Sequence, residues 1–419
     1  MGEGLHDRAR GRRRSGAGTG RGDASVQGPL GPLNWGRVWL AYGIAHVGKS
    51  LLWTASDLLT IYLLVSLYGV DPRIAGGLFL AGLVANGTAD LCVGLWLDRH
   101  PYRAAPLAMC SLVLAAASFP ATILLAPHGP WALLAATLVF RIAYAGCDVP
   151  HNALMTRLGS TPPRAAWLAR VRTIGTALAS LVAAWGARGT DAAATATSLW
   201  IMALAALLVG SAMVPLLATA PLAAAKAAPT TRACRLTGLP VSFLAASIIG
   251  IVALAGLAKA VLHLPAASID GSMILALLIA GRTLSALLPV PNGTTSCGST
   301  SLCGTYLAAA VIAATCAYSI GAVTVVLLGF AMGATNLVGW ALLPALADGP
   351  RAYGVYTMTS KLALGASGLV LAGGLGGVAT FGPATFSAFA LAVAGACIMA
   401  AVLARIPLTP PVHHAFPTS

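Results

Sequence analysis

The segment 194–218 reads ATATSLWIMALAALLVGSAMVPLLA and contains no charged residue. A helix needs about 20 apolar residues to cross the hydrocarbon core of a bilayer, so this segment is long enough to span one. The whole chain shares this character, because 58% of its 419 residues are hydrophobic and only 9% are charged. A soluble globular domain carries about 25% charged residues. The sequence therefore predicts an all-α membrane protein and excludes an ordinary soluble one.

Eleven further apolar segments flank this one. The first six predicted spans are 37–67, 73–97, 103–126, 130–156, 165–187 and 194–218, and the second six are 239–263, 267–289, 301–317, 319–346, 352–380 and 384–406. Twelve transmembrane helices in two six-helix halves are typical of the major facilitator fold, whose substrate site lies between the halves. The predicted organisation is a disordered basic tail (1–34), a first six-helix bundle (35–222), a central loop (223–238), a second bundle (239–408) and a C-terminal tail (409–419).

Basic residues are concentrated in the N-terminal tail and in alternate loops, and give the chain a net charge of +14. This distribution follows the positive-inside rule, which places both tails and the central loop in the cytoplasm. It indicates a multi-pass protein of the inner membrane that contacts lipid, and not a nucleic-acid-binding protein. We expect a monomer whose partner is a small-molecule substrate.

No pattern in the sequence indicates an enzyme. The eight cysteines show neither CxxC spacing nor Cys/His spacing for a metal, and no nucleophile has a nearby base. We therefore predict no catalytic residue, no metal site and no cofactor other than a co-transported proton or sodium ion. His151 is open to two interpretations, a proton relay or a packing residue.

Charged residues inside the predicted spans are the most informative positions, since each costs about 2.5–3.5 kcal/mol on insertion scales. They are Lys49, Asp57, Asp90, Arg141, Asp148, Arg172, Lys259 and Lys361. Counting residues from the cytoplasmic helix ends places Asp90, Asp148 and Lys361 at a common depth. Asn86 lies one turn from Asp90 and hence on the same helical face. We predict that both carboxylates face a central cavity and form a site for the coupling cation, with a structural ion-pair network as the alternative.

Three segments resemble the glycoside-pentoside-hexuronide:cation symporter family of the major facilitator superfamily. They are TADLCVGLWLDR (88–99), CDVPHNALMTRL (147–158) and ALLPALADGPRAYGVYTMTSKLALGASG (341–368). The resemblance covers most of the chain, although the seventh to ninth spans match poorly.

The resemblance implies a role for each matching residue. Asp90 would be a cation-site carboxylate, and Asp148 would serve both the cation and the substrate. Arg172 would lie near the substrate, and Lys361 would line the cavity between the halves. A second set would form a cytoplasmic conformational latch: Asp98 and Arg99.

Four positions depart from the family pattern. Ser50 replaces an Asp that grips sugar hydroxyls, Asn86 replaces a second cation-site Asp, and Asn152 replaces an aromatic residue that stacks on the sugar. Pro101 replaces the Gly expected after the Asp-Arg turn. We keep Ser50 and Asn152 as substrate-site positions and Asn86 as a cation-site position. A single carboxylate can carry a proton, whereas sodium prefers several oxygen ligands, so the sequence favours proton coupling over sodium coupling.

The sequence thus predicts a cation-coupled symporter of a small polar solute, with a sugar-like substrate left open. Two alternatives remain at this point. One is a major facilitator exporter of a secondary metabolite or drug, and the other is a membrane scaffold or sensor that does not transport.

Overall fold

A computed structural model describes residues 35–186, 192–219, 237–262, 271–290, 295–347, 349–374 and 382–406, which are almost entirely helical. The first six long helices are α1 (Trp35–Ser66), α2 (Pro72–Arg99), α3 (Ala104–Ser118), α4 (Pro130–Leu158), α5 (Pro162–Gly186) and α6 (Ala192–Gly210). The second six are α7 (Val241–Leu262), α8 (Gly271–Leu284), α9 (Thr295–Tyr318), α10 (Ala322–Leu346), α11 (Pro350–Gly374) and α12 (Pro383–Arg405). The twelve predicted helices are confirmed.

The boundaries differ from the predicted spans in a few places. The third span is not one continuous helix, because α3 ends at Ser118 and a short helix, Ala121–Leu124, follows Pro120. Proline has no backbone N–H to donate to the preceding turn, so it interrupts the helical hydrogen bonds. The ninth helix begins at Thr295, six residues before the predicted 301. The two predicted tails and most of the central loop lie outside the described residues.

Eight of the described helical segments are long and apolar enough to cross a membrane. α8 is apolar but shorter, and α1, α5 and α11 fall outside the eight. Those last three helices carry Lys49, Arg172 and Lys361. The outer surface is apolar, as on α6, where Ile201, Leu204 and Leu208 are all more than half exposed, which suits a lipid environment.

The helices pack into two groups that correspond to the two sequence halves. In the first half α1 packs against α5 and α6, and α4 packs against α2 and α3. In the second half α12 packs against α7 and α9, α11 against α7, and α10 against α8 and α9. The halves meet where α2 contacts α11 and where α5 contacts α10 and α8.

The α2–α11 contact is close enough to require glycine on both helices. A Cβ atom on Gly354 would lie 2.5 Å from the backbone oxygen of Asp90, and a Cβ on Gly94 would lie 3.0 Å from the backbone oxygen of Pro350. Real Cβ atoms essentially never approach other atoms to less than 3.0 Å. The two backbones are therefore in direct contact along this part of the interface.

Polar contacts join the halves at the same end of the bundle, where α2 and α4 end and α5 and α11 begin. Asp98 Oδ1 accepts a hydrogen bond from the backbone N–H of Arg351 at 3.0 Å. The hydroxyls of Thr156 and Tyr353 are 2.8 Å apart. We call this end of the bundle, where Asp98 contacts Arg351 and Thr156 contacts Tyr353, the closed end. Across the bundle, α1 and α7 form no packed interface among the described residues.

Candidate functional site

A cavity of about 280 Å³ lies between the two halves. It is lined by residues of α1, α4 and α5 on one side and of α7 to α11 on the other. Its charged lining residues are Lys49, Asp57, Asp148, Arg172, Arg282 and Lys361. Four of these side chains, those of Lys49, Asp148, Arg172 and Lys361, are buried, so their partners determine what the cavity can do.

Lys361 connects the two halves through two carboxylates. From α11, its Nζ donates to Asp90 Oδ2 on α2 at 2.5 Å and to Asp148 Oδ2 on α4 at 3.2 Å. All three side chains are buried. The structure thus brings together the three residues whose common depth the sequence predicts.

Asp90 is placed differently from the expectation that both carboxylates face the cavity. Asp148 lines the cavity, but Asp90 is 0% exposed and does not. The reason is the close approach of α11, whose Gly354 packs directly on the backbone of Asp90. Asp90 is connected to the cavity through Lys361, and the side chain of Thr357, which lines the cavity, also lies beside it.

A second ammonium group reaches Asp148 from α1. Lys49 Nζ donates to Asp148 Oδ1 and, at 2.6 Å, to Asn152 Oδ1. Asn152 Nδ2 in turn donates to Asp148 Oδ1 at 3.0 Å. Asp148 is therefore held by two lysines and an amide, which satisfies a buried carboxylate.

Arg172 extends this network across to the other half. Its Nη1 donates to Asn152 Oδ1 at 2.7 Å and to the Tyr42 hydroxyl at 3.2 Å. Its guanidinium carbon lies 3.6 Å from the centroid of the Trp340 ring on α10, which is the stacking geometry that arginine favours. Asn152 accepts from two cations through Oδ1 and donates to Asp148 through Nδ2, so three of the four hydrogen-bonding positions of its amide are used.

Two buried oxygen atoms on α2 have no hydrogen-bond partner in the described part of the chain. They are Asp90 Oδ1 and Asn86 Oδ1, one helical turn apart. Asn86 uses its amide nitrogen to donate to the backbone oxygen of Arg141. An unpaired buried carboxylate oxygen is costly as it stands and is a natural position for a proton.

Ser50 lines the cavity beside a stack of aromatic and imidazole rings. Its hydroxyl lies 3.2 Å from His46 Nε2, which also lies 3.1 Å from the Thr176 hydroxyl. The rings of Tyr42, His151 and His46 stack, with the Tyr42 and His151 centroids 4.4 Å apart. His151 lies behind the cavity wall, in the position of a packing residue, whereas His46 reaches the cavity.

The predicted latch residues lie at the closed end. Asp98 accepts from the Arg351 backbone, and its Oδ2 lies 3.8 Å from the Arg351 guanidinium. Arg99 is exposed at the last turn of α2. Asp98 therefore joins α2 to α11, whereas the Arg99 side chain is exposed on the surface of the protein.

The sequence interpretation missed one charged residue of the cavity, Arg282 on α8. Its signal was present, because it is the single charged residue in the helical segment GSMILALLIAGRTL (271–284). The insertion cost that selected the other intramembrane charges applies equally to it.

Arg141 and Lys259 contact the helices that form the cavity but do not line it. The Arg141 guanidinium is surrounded by the rings of Trp53, Phe79 and Phe140 at 5.1–5.4 Å, a set of cation–π contacts. Lys259 on α7 donates to the Ser367 hydroxyl of α11 at 3.2 Å.

Solved structures match this arrangement over most of the chain. A single-residue variant of the E. coli fucose:proton symporter aligns with a TM-score of 0.61 and 12% identity, covering 88% of this chain and 99% of that one. A second structure of that symporter is described as a major facilitator superfamily transporter in the outward conformation. This chain has the major facilitator fold. The predicted fold class is thereby confirmed.

Two other structures show the same likeness. The human organic anion transporter MFSD10 aligns with a TM-score of 0.65 and 16% identity over 90% of this chain and 100% of that one. A bacterial homologue of the iron transporter ferroportin, in an outward-facing state, aligns with a TM-score of 0.65 and 15% identity over 88% of this chain and 98% of that one. No family model and no curated protein matches the sequence. The comparisons support the major facilitator fold and do not reach the narrower resemblance to the glycoside-pentoside-hexuronide family.

Proposed function

We propose that this protein is a secondary active transporter that couples the movement of a small solute to a proton. The observation that carries the proposal is Lys361, which binds Asp90 and Asp148 across the interface between the halves. In this fold transport requires the two halves to rock about a site between them. A change of charge at either carboxylate would alter a contact that joins the halves, and so bias that motion.

The charge arrangement favours a proton over sodium. A sodium ion needs several free oxygen ligands, but Asp148 is already paired with two ammonium groups and Asp90 with one. A proton needs a single free oxygen, and Asp90 Oδ1 is one. Protonation would neutralise Asp90 and weaken its attraction to Lys361, which frees the lysine to move.

The closed end supports a direction of access. With the orientation that the positive-inside pattern predicts, this end faces the cytoplasm, and the protein lies in the inner membrane with an outward-open cavity. Three of the matching structures are described as outward-facing or outward. Solute and proton would then enter from outside and be released inside, which is symport.

Export is the second candidate, and the walls of the cavity favour it. Aromatic side chains contribute much of the lining, among them Trp53, Tyr144, Tyr306, Trp340 and Tyr356. Such walls suit a solute with an apolar body. An exporter would move proton and solute in opposite directions, so the sign of the coupled proton movement separates the two candidates.

The test uses purified protein in liposomes that contain a pH-sensitive dye. A panel of sugars, polyols, carboxylates and amino acids is applied outside, and solute entry and internal pH are recorded together. We expect at least one solute to enter and to acidify the lumen in a protein-dependent way. Entry with alkalinisation would instead indicate exchange, and no solute-dependent movement across the panel would contradict the transport proposal.

Lys361 provides the matched comparison. Lys361→Ala should abolish solute accumulation driven by a proton gradient, and Lys361→Arg should restore the charge without the compact geometry that reaches two carboxylates. Arg103→Gln removes a positive charge at an exposed site near the start of α3 and should behave as the unmodified protein. Full coupling in Lys361→Ala would show that the residue is a passive part of the wall.

A further inference from the structure

We propose that the solute carried by this protein is a small organic monoanion, and that the guanidinium group of Arg282 binds its carboxylate. The inference rests on the proposed transport function and adds the substrate class to it. It follows from the charge balance of the cavity, from the partners of each cation and from the fixed position of α8.

The cavity carries more positive than negative charge. Four cationic side chains line it, Lys49, Arg172, Arg282 and Lys361, against two carboxylates, those of Asp57 and Asp148. Adding Asp90, which Lys361 contacts from behind the wall, still leaves an excess of one positive charge. An anionic solute that enters the cavity would compensate this excess charge.

Of the four cations that line the cavity, Arg282 is the one whose guanidinium is available to bind a solute. Lys49 and Lys361 are ion-paired with carboxylates, and Arg172 is engaged by an amide oxygen, a tyrosine hydroxyl and an indole ring. Among the described residues the Arg282 guanidinium makes no hydrogen bond and no ion pair within 4.0 Å, and the Asp57 carboxylate acts on it electrostatically from beyond that distance. A guanidinium presents five N–H donors in a planar fork that matches a carboxylate with two parallel hydrogen bonds.

The backbone that carries Arg282 is held rigidly against α10. A Cβ atom on Gly329 would lie 2.3 Å from the backbone oxygen of Leu278, and one on Gly333 would lie 2.8 Å from the backbone oxygen of Arg282 itself. This contact leaves α8 little freedom to shift. The Cα atom from which the Arg282 side chain reaches the cavity is therefore fixed, so a bound carboxylate has to order only the side chain.

Neutral polar side chains and one further carboxylate share the cavity with Arg282. Thr176 and Asn336 line the cavity with it, and they offer hydroxyl and amide groups to a bound carboxylate. Asp57 faces the same cavity from α1 with no ion-pair partner within 4.0 Å among the described residues. Its negative charge disfavours a second anionic group, which is why we infer a monoanion and not a dicarboxylate.

The binding test compares solutes that share a skeleton and differ in charge. Benzoate is paired with benzamide, lactate with lactamide, and gluconate with glucose, while succinate serves as the dianion. Melting of the purified protein is followed at rising concentrations of each. We expect at least one monocarboxylate to raise the melting temperature in a saturable way, with its neutral partner and succinate giving much smaller shifts.

Arg282→Gln should weaken the binding of that monocarboxylate about 10- to 100-fold, the value of a hydrogen bond to a charged group. It should leave the weak binding of the neutral partner unchanged, a selectivity that mere loosening of the fold would not produce. Arg282→Lys keeps the charge but loses the planar fork and should fall between the two. Arg103→Gln, at an exposed site away from the cavity, is the control.

The outcomes separate this inference from the transport proposal. Equal binding of carboxylates and neutral partners, no binding of any monocarboxylate, or full carboxylate affinity in Arg282→Gln would overturn the inference. If a neutral solute is nevertheless transported with protons, the proposed function stands without it. If monocarboxylates bind through Arg282 and no solute moves in liposomes, the binding site stands and transport fails.

Discussion

Gly354→Ala should open the closed end of the bundle. The added methyl group would lie 2.5 Å from the backbone oxygen of Asp90 and must push α2 and α11 apart, because neither backbone can yield locally. Overpacking of this kind costs about 1–3 kcal/mol. The cost falls only on the state in which the two helices touch, so the equilibrium should shift toward the open state by about 5- to 150-fold. The gain in helix propensity from glycine to alanine acts on both states and cancels.

Alkylation of a reporter cysteine measures this shift. Thr156→Cys places the thiol between the halves, where the native hydroxyl meets that of Tyr353. The background lacks the exposed Cys92 and Cys110, and also Cys234 and Cys297, whose side chains lie outside the described part of the structure. The alkylation rate should rise in Gly354→Ala. Gly395→Ala is the control, because a Cβ at that position meets nothing within 4 Å. Equal rates in the two variants would refute the argument that the α2–α11 contact closes this end.

Two further variants test the cavity network. Lys361→Met removes the one ion-pair partner that the described residues provide for Asp90. Lys49→Met leaves Asp148 paired with Lys361. Lys361→Met should therefore lower the melting temperature more than Lys49→Met. Equal melting temperatures would contradict the proposed pairing. Trp340→Leu removes the ring on which Arg172 stacks and should raise the dissociation constant of the solute about 2- to 30-fold. An unchanged dissociation constant would show that the stack does not position Arg172.

The features that the sequence predicts are those fixed by helical geometry alone. A charge-free segment such as Ala192–Gly210 must be helical in lipid because every backbone group has to find a partner within the segment. A fixed rise per residue converts position in the helix into depth, which is how Asp90, Asp148 and Lys361 could be placed at one level. Their contact in the structure follows from that level and from the packing of α2 on α11.

The features that the sequence does not predict depend on how each helix is rotated and how closely it approaches its neighbours. Lys49 could have faced lipid headgroups or solvent, and only the rotation of α1 brings it to Asp148. Gly354 covers Asp90 because two helices touch there, and nothing in the spacing of either residue indicates that contact. Arg282 is a different case, since its position in an apolar span was visible but its lack of a partner was not.

If a proton bound at Asp90 controls the contact between the halves, Asp90→Asn should separate solute movement from proton movement. The amide is the same size as the carboxylic acid but cannot exchange a proton, so the variant should keep solute counterflow across liposome membranes. Asp71→Asn, at the exposed N-cap of α2, is the matched control because asparagine caps a helix as well as aspartate does. We expect counterflow in both variants, with proton movement accompanying solute entry in Asp71→Asn and absent in Asp90→Asn. Proton movement of unchanged stoichiometry in Asp90→Asn would contradict it.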